Sequence, residues 1–283
     1  MRGVMTSLRK RTFYPSDLTD AEWKSIRHLI PRARRGGRPR TTDVREVVNA
    51  IFYLTRSGCA WRYLPQEFPP WRTIYDYFSV WNERGVWRAI HQELAARVRR
   101  RSGRKSTPST VIIDGQCTRA QYGEERGWDG FKKVRGRKRQ ILVDSTGILW
   151  GAWIHRANQQ EPTYASKVIE DYPRDIRSPQ RVLGDSAYGG KPFANFLAQY
   201  WSVTPVITRG TKVPYYDSRS RIRFTVGKSN LKPQRWVVER TFAWFNNFRR
   251  LNRDYEKKVS NSKAFLFISQ IPLLLKRLNQ NQL

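Results

Sequence analysis

The sequence predicts an α/β domain preceded by a smaller all-α unit, and three observations carry that prediction. Apolar residues recur at helical spacing through residues 18–96, β-branched runs alternate with helical stretches from residue 110 onward, and a basic segment containing Gly, Ser and Pro separates the two at 97–109. The expected organisation is a flexible basic arm at 1–17, a helical unit at 18–96, a linker at 97–109 and the α/β domain at 110–283.

In the helical unit, Thr19 stands three residues before Glu22 in the spacing of a capping box, and Pro31 ends the helix that follows. Residues 32–40, RARRGGRPR, are too charged and glycine-rich for regular structure and read as a basic loop laid along phosphates. Thr42 or Asp43 caps a second helix whose Val44, Val47, Val48, Ile51, Phe52 and Leu54 keep helical spacing up to Gly58. Two more helices are expected over 71–81 and 87–98, with the Trp residues at 61, 71, 81 and 87 mostly in the core. Short helices joined by tight basic turns suit a DNA-binding unit of helix-turn-helix type.

The α/β domain opens with Val111-Ile-Ile-Asp-Gly-Gln116, where three β-branched residues suit a strand buried on both faces and Asp114 sits where it runs out toward Gly115. Residues 139–143 and 148–154, joined by Asp144-Ser-Thr-Gly147, read as a hairpin, so three antiparallel strands are expected. A crossover helix at 161–172, a strand at 181–183 ending in Gly184-Asp185, a helix at 191–201 and a strand at 203–208 follow. Residues 211–234 read as a long, mostly positive loop. One helix is expected from Gln234 to Leu251, its Val237, Val238, Trp244, Phe245, Phe248 and Leu251 facing the sheet and Arg235, Glu239, Phe242, Asn246 and Arg250 forming a second stripe. A last amphipathic helix, 264–278, is interrupted at Pro272.

The charge balance narrows the function. Lys and Arg number 54 against 23 Asp and Glu, a net +31, far beyond what solubility requires, and a polyanion is the expected partner. No apolar run reaches the roughly 18 residues of a membrane span and no signal-peptide pattern follows Met1, so a soluble cytoplasmic protein is expected. Cys59 and Cys117 are too few for a disulfide framework or a zinc site, and His28, His91 and His155 show no ligand spacing. Any bound metal is therefore held by oxygen.

Three acids could supply that oxygen. Taken singly, Asp114 and Asp185 have the reading of turn formers or helix caps, and Glu239 that of a surface acid paired with Arg235 or Arg240. Taken together, one acid from an early strand, one from a later strand and one from a late helix is the arrangement that holds a pair of Mg²⁺ or Mn²⁺ ions, roughly 3.5–4 Å apart, for phosphodiester chemistry. Asp144 reads as a structural turn and Cys117 as a buried thiol rather than a nucleophile. Expected DNA contacts are Arg34, Arg35, Arg38, Arg40, Arg72, Lys132, Lys133, Arg135, Arg137, Lys138, Arg235, Arg249 and Arg250.

Several long motifs, VIIDGQ, KKVRGRKRQILVD, GDSAYGG and RWVVERTFAWFNNFRRLNRDYE, resemble the IS5-type branch of bacterial insertion-sequence transposases within the wider IS4-like group. So do LTDAEWKSI, GRPRTTDVREVVNAIFYLTRSGCAWRYLP and PPWRTIYDYFSVW in the first half, and the resemblance covers about Leu18 to Leu278. It implies an RNase H-like catalytic domain with a DDE triad carried onto Asp114, Asp185 and Glu239, two divalent ions, and a protein that binds terminal inverted repeats, cleaves them and joins them to target DNA as a homodimer or higher oligomer. The chain departs from that pattern at Gly115, where relatives usually have Ser, and near Glu239. There Arg235 matches, but Lys232 stands for a Tyr and Asn246 for a Lys, leaving Arg249 or Arg250 to supply that charge. The rival readings are a structure-selective nuclease on the same fold and a non-catalytic DNA-binding protein derived from a transposase.

Overall fold

The computed structural model describes residues 11–33, 36, 39–123, 125–207, 212–216, 222–226 and 236–279. Helix α1 (Asp20–Ile26) begins in the capping box expected of Thr19 and Glu22, and α2 (Val44–Ser57) is capped by Asp43, whose carboxylate accepts from Arg45 N. Gly58 ends α2 in the left-handed conformation at φ 75°, which glycine adopts without steric cost. Helices α3 (Trp71–Glu83) and α4 (Val86–Arg101) follow the predicted periodicity, but α4 runs on into the segment read as a linker. Arg99 in its last turn is buried against Asp144, so those residues are packed helix rather than spacer.

The sheet that follows is mixed. Strands β1 (Thr110–Arg119), β2 (Gly127–Asp129), β3 (Val134–Asp144) and β4 (Leu149–Arg156) are antiparallel to their neighbours, while β5 (Arg181–Gly184) and β6 (Pro205–Ile207) pair parallel on the other side of β1. The order is β4–β3–β1–β5–β6, with short β2 beside the start of β3. Helix α5 (Glu161–Glu170) makes the crossover to β5, and α6 (Lys191–Trp201) links β5 to β6. The crossover helix and both parallel strands fall where their apolar spacing put them.

Four expectations need correction. First, β1 does not end at Gly115: β3 supplies ladder partners as far as Arg119↔Gly136, so the Asp-Gly pair is carried inside a strand. Second, residues 211–234 are not all loop, because β7 (Lys212–Tyr216) and β8 (Ile222–Val226) form a two-stranded antiparallel ribbon. Third, the single helix expected to Leu251 is two, α7 (Trp236–Asn246) and α8 (Arg249–Asn252), divided at Asn247 and Phe248. Fourth, Pro272 does not interrupt α9 (Val259–Asn279), since Ile268, Ile271, Leu274 and Leu275 around it are all buried and tertiary packing outweighs the roughly 3 kcal/mol a helical proline costs.

Helix α9 is apolar on nearly every side and packs against α2, α3 and α4 as well as β4. The hydrophobic core therefore runs without a break across the boundary expected at 97–109. Asp144 fills the structural role read for it: its carboxylate accepts from Thr146 N, Thr146 Oγ1, Ile148 N, Trp150 Nε1 and Arg99.

Burial holds two histidines neutral. His91, fully enclosed with Nε2 at 3.1 Å from Gln270 Oε1, is pushed down to about 4 from 6.5, and His155, stacked on Tyr164, is also pushed down to about 4. The unfolded chain takes up these protons at a higher pH than the folded one, so stability falls as pH drops from 6.5 toward about 4. The expected loss is of order 3 kcal/mol for His91, read as a falling urea midpoint across that window, and His91→Gln should flatten the fall. An identical fall in the variant would place the acid sensitivity elsewhere.

Candidate active site

Parallel pairing of β1 with β5 matches Val111 with Val182 and Ile112 with Leu183. Gly184 lies against Ile113, where a Cβ would stand 3.3 Å from Ile113 Cγ2, so the register continues past the last paired residues. Asp114 and Asp185 follow along the two chains, and the charges of both act on the Tyr188 phenol. Asp114 Oδ1 accepts from Gly115 N at 2.8 Å, and Asp185 Oδ1 caps a 3₁₀ turn, Ser186–Tyr188, by accepting from Ala187 N at 2.9 Å. The third acid, Glu239, is exposed on α7, the helix that packs on β1 and β3.

Around the aspartates lies a residue that sequence reasoning missed. Glu161, the first residue of α5, accepts the Tyr188 hydroxyl on Oε2 at 3.1 Å, and its Oε1 stands 3.6 Å from Lys138 Nζ. Tyr188 is fully buried, and burial, followed by the negative charges of Glu161 and Asp114, raises its phenol well above the usual range. The phenol therefore stays protonated and donates. The one sequence signal for Glu161 is Gly115: strand interiors disfavour glycine, and here the missing Cβ makes room for the Glu161 carboxylate.

Cys117 is not a nucleophile. Its thiol donates to Asp129 Oδ2 at 3.1 Å, and burial with that carboxylate pushes it up to about 12.

The expected DNA contacts divide sharply. Arg137 is completely buried, donating to the Glu256 and Lys257 carbonyls and Ser262 Oγ, with Asp254 at 3.1 Å. Arg250 is buried on Glu256, its Nε donating to Oε1 at 2.8 Å, and Lys138 is buried between Asp129 and Glu161. These three cations hold the fold together and are not available to phosphates. In β3 the basic run is enclosed on both faces, for every residue from Gly136 to Asp144 is buried between β1 and β4 and the helices that cover them. Arg40 is half-buried with both terminal nitrogens on the Pro31 carbonyl, while Arg72, Lys132, Lys133, Arg135 and Arg249 are exposed. Arg34, Arg35, Arg38 and Arg235 lie outside the described residues.

Beside the site, Asp129 Oδ1 accepts from Phe131 N and Lys132 N, fixing a turn that leaves Trp128 57% and Phe131 89% exposed among Lys132, Lys133 and Arg135. Two neighbouring acids on a basic, aromatic-bearing surface suit the handling of a polyanion. Residues 105–271, more than half of the chain, match the family model described as "Transposase DDE domain".

The chain belongs to the DDE transposase family.

Residues 18–91 match a second model, "Putative transposase of IS4/5 family". Over 138 residues the chain is 29% identical to "Putative transposase for insertion sequence element IS402" of Burkholderia cepacia, covering 46% of the chain and 59% of that protein. The match thus spans less than two thirds of that relative. A second relative, "Uncharacterized protein y4sN" of Sinorhizobium fredii, is 33% identical over 103 residues, covering 36% of the chain and 76% of that protein. Among solved structures, a piggyBac transposase synaptic complex with hairpin DNA aligns at TM-score 0.37 and 12% identity, covering 89% of the chain and 70% of its own. A Mos1 transposase paired-end complex aligns at TM-score 0.25 and 9% identity, with 87% and 80% covered. Likenesses this weak carry no structural argument.

DDE transposase domains generally use divalent metal ions. The donors here fit such ions in kind, being carboxylate oxygens. Among the described residues, no three His, Cys, Asp or Glu stand close enough to hold one ion. Also among those residues, no helix is long and apolar enough to cross a membrane.

Proposed function

We propose that the chain is a DNA transposase that binds the terminal inverted repeats of an insertion sequence, cleaves there, and joins the freed 3′ ends to target DNA. The observation that carries this reading is the parallel pairing of β1 with β5, the strand that holds Asp114 and the strand that Asp185 follows, in a member of the DDE family. The strand order β4–β3–β1–β5–β6, with β1 central and both parallel strands on one side, supports an RNase H-like catalytic domain. The capped helices α1 to α4 support a helix-turn-helix type reader of the repeats.

Asp114 and Asp185 would hold the ions, Mg²⁺ or Mn²⁺ and two in number, with Glu239 joining from α7. When bound, such ions supply activation of the attacking oxygen and charge stabilisation of the leaving one. The chain's own residues do the rest. Tyr188, bonded to Glu161 of α5, holds the Asp185 turn in place, and β1 carries Asp114 inside the sheet. Lys132, Lys133 and Arg135 hold backbone phosphates, and the exposed faces of Trp128 and Phe131 are placed to stack on bases. Engagement of two ends implies at least a homodimer on DNA.

Mg²⁺-dependent nicking of DNA carrying the element's ends, followed by joined product in a strand-transfer assay, is the test. Cutting without joining would leave the nuclease reading, and binding without cutting the non-catalytic one. A narrower expectation concerns the surface cations. Lys132→Ala with Arg135→Ala should weaken duplex binding and make the dependence of log K on log salt shallower by about 2, near 0.9 for each lost phosphate contact. Filter binding across a salt series measures it; an unchanged slope would take these residues off the DNA.

A further inference from the structure

We propose that Glu161 is a positioning residue of the site, a fourth acid that sets the Asp185 turn against the Asp114 strand through Tyr188 and Gly115. The proposal rests on the roles given above to Asp114 and Asp185.

Four contacts fix Glu161. Its backbone carbonyl accepts from Gln140 Nε2 at 2.7 Å, Oε2 accepts the Tyr188 hydroxyl at 3.1 Å, and Oε1 faces Lys138 Nζ at 3.6 Å. The carboxylate also rests directly on Gly115, where a Cβ would come within 2.7 Å of Glu161 Cδ. It thus touches the residue that follows Asp114 and holds the side chain three positions after Asp185. Pairing with Lys138 does not account for this placement, because Asp129 already faces the same ammonium at 3.9 Å. The Tyr188 hydroxyl does. A phenol buried this completely needs an acceptor, and Glu161 provides it. Tyr188 closes the 3₁₀ turn that Asp185 caps, and its N–H donates to the Asp185 carbonyl at 3.1 Å, so a shift of the ring moves the turn that aims Asp185.

A largely buried carboxylate is costly to desolvate unless something is gained by it. Lys138 offsets that cost, and the gain is a strut across β1, β3, α5 and the Asp185 turn.

The test compares Glu161→Ala, Glu161→Gln, Tyr188→Phe and the double variant Glu161→Ala/Tyr188→Phe in the full chain. Two quantities are measured: Mn²⁺-dependent cleavage of end-carrying DNA, and Mn²⁺ affinity by calorimetry without DNA. Glu161→Ala and Tyr188→Phe are each expected to lower cleavage about 10- to 100-fold, as misplacement of a reacting group does, and the double variant should be no worse than the weaker single. Glu161→Gln keeps an oxygen that accepts the Tyr188 hydrogen bond and should hold both readouts within about tenfold of wild type. Wild-type cleavage and affinity in Glu161→Ala, additive losses in the double variant, or Glu161→Gln as impaired as Glu161→Ala would each overturn the proposal. If instead Asp114→Asn and Asp185→Asn leave cleavage intact, the parent reading fails. A wild type that depends on both aspartates and ignores Glu161 sinks this inference alone.

Discussion

Asp114→Asn and Asp185→Asn are each expected to reduce metal-dependent strand cleavage by at least about 10³-fold, equivalent to roughly 4 kcal/mol of transition-state stabilisation. The size follows from geometry. On the proposed reading each aspartate has its own place, Asp114 within β1 and Asp185 in the turn after β5, so neither can substitute for the other, and Asn keeps the shape of the side chain while removing its charge. The structural duties of both positions survive the change, because an amide oxygen still accepts from Gly115 N or Ala187 N. Duplex binding and thermal stability should consequently stay near wild type. Cleavage is read from nicking of plasmid carrying the element's ends, and binding from a gel shift on the same ends. Loss of both together, or retained cleavage in either variant, would remove these acids from the centre of the mechanism.

Arg137→Ala is expected to cost about 3–5 kcal/mol of folding stability, the range for breaking a buried ion pair from one side. Its guanidinium lies in a fully enclosed site with Asp254 at 3.1 Å and bonds to four carbonyls and a hydroxyl. Removing it takes the ion-pair partner from buried Asp254, leaving only the more distant charge of Arg139 and the donations from Ser262 Oγ and Glu256 N. A urea titration measures the loss. Arg135→Ala, two residues away and exposed, should shift the midpoint by less than about 0.5 kcal/mol. The contrast between the two separates a cation that builds the fold from one that meets solvent, and equal effects would contradict the burial pattern.

Much of this fold was legible because period and punctuation agree along the chain. The Thr19 capping box, Asp43 before α2 and Gly58 after it are local signals, decided within a few residues. The hairpin at Asp144 and the crossover through α5 are of the same kind. What escaped depends on partners distant in sequence. Nothing near Gly115 reveals that β3 continues the ladder past it, and nothing in KKVRGRKR says which cations turn inward to meet Asp254 and Glu161. The acid pair was legible as candidates, but its adjacency comes from β5 lying next to β1, and Glu161 enters only because α5 starts over a glycine.

Helix α9 has a mechanical consequence. Because one continuous apolar surface is shared by α2, α3, α4, β4 and α9, swinging the amino-terminal helices away from the sheet would expose the interior of both. The chain is thus built to act as one stiff jaw. On the proposed reading, a large rearrangement between successive strand breaks would then fall to the bending of the duplex or to the movement of one copy of the chain against another.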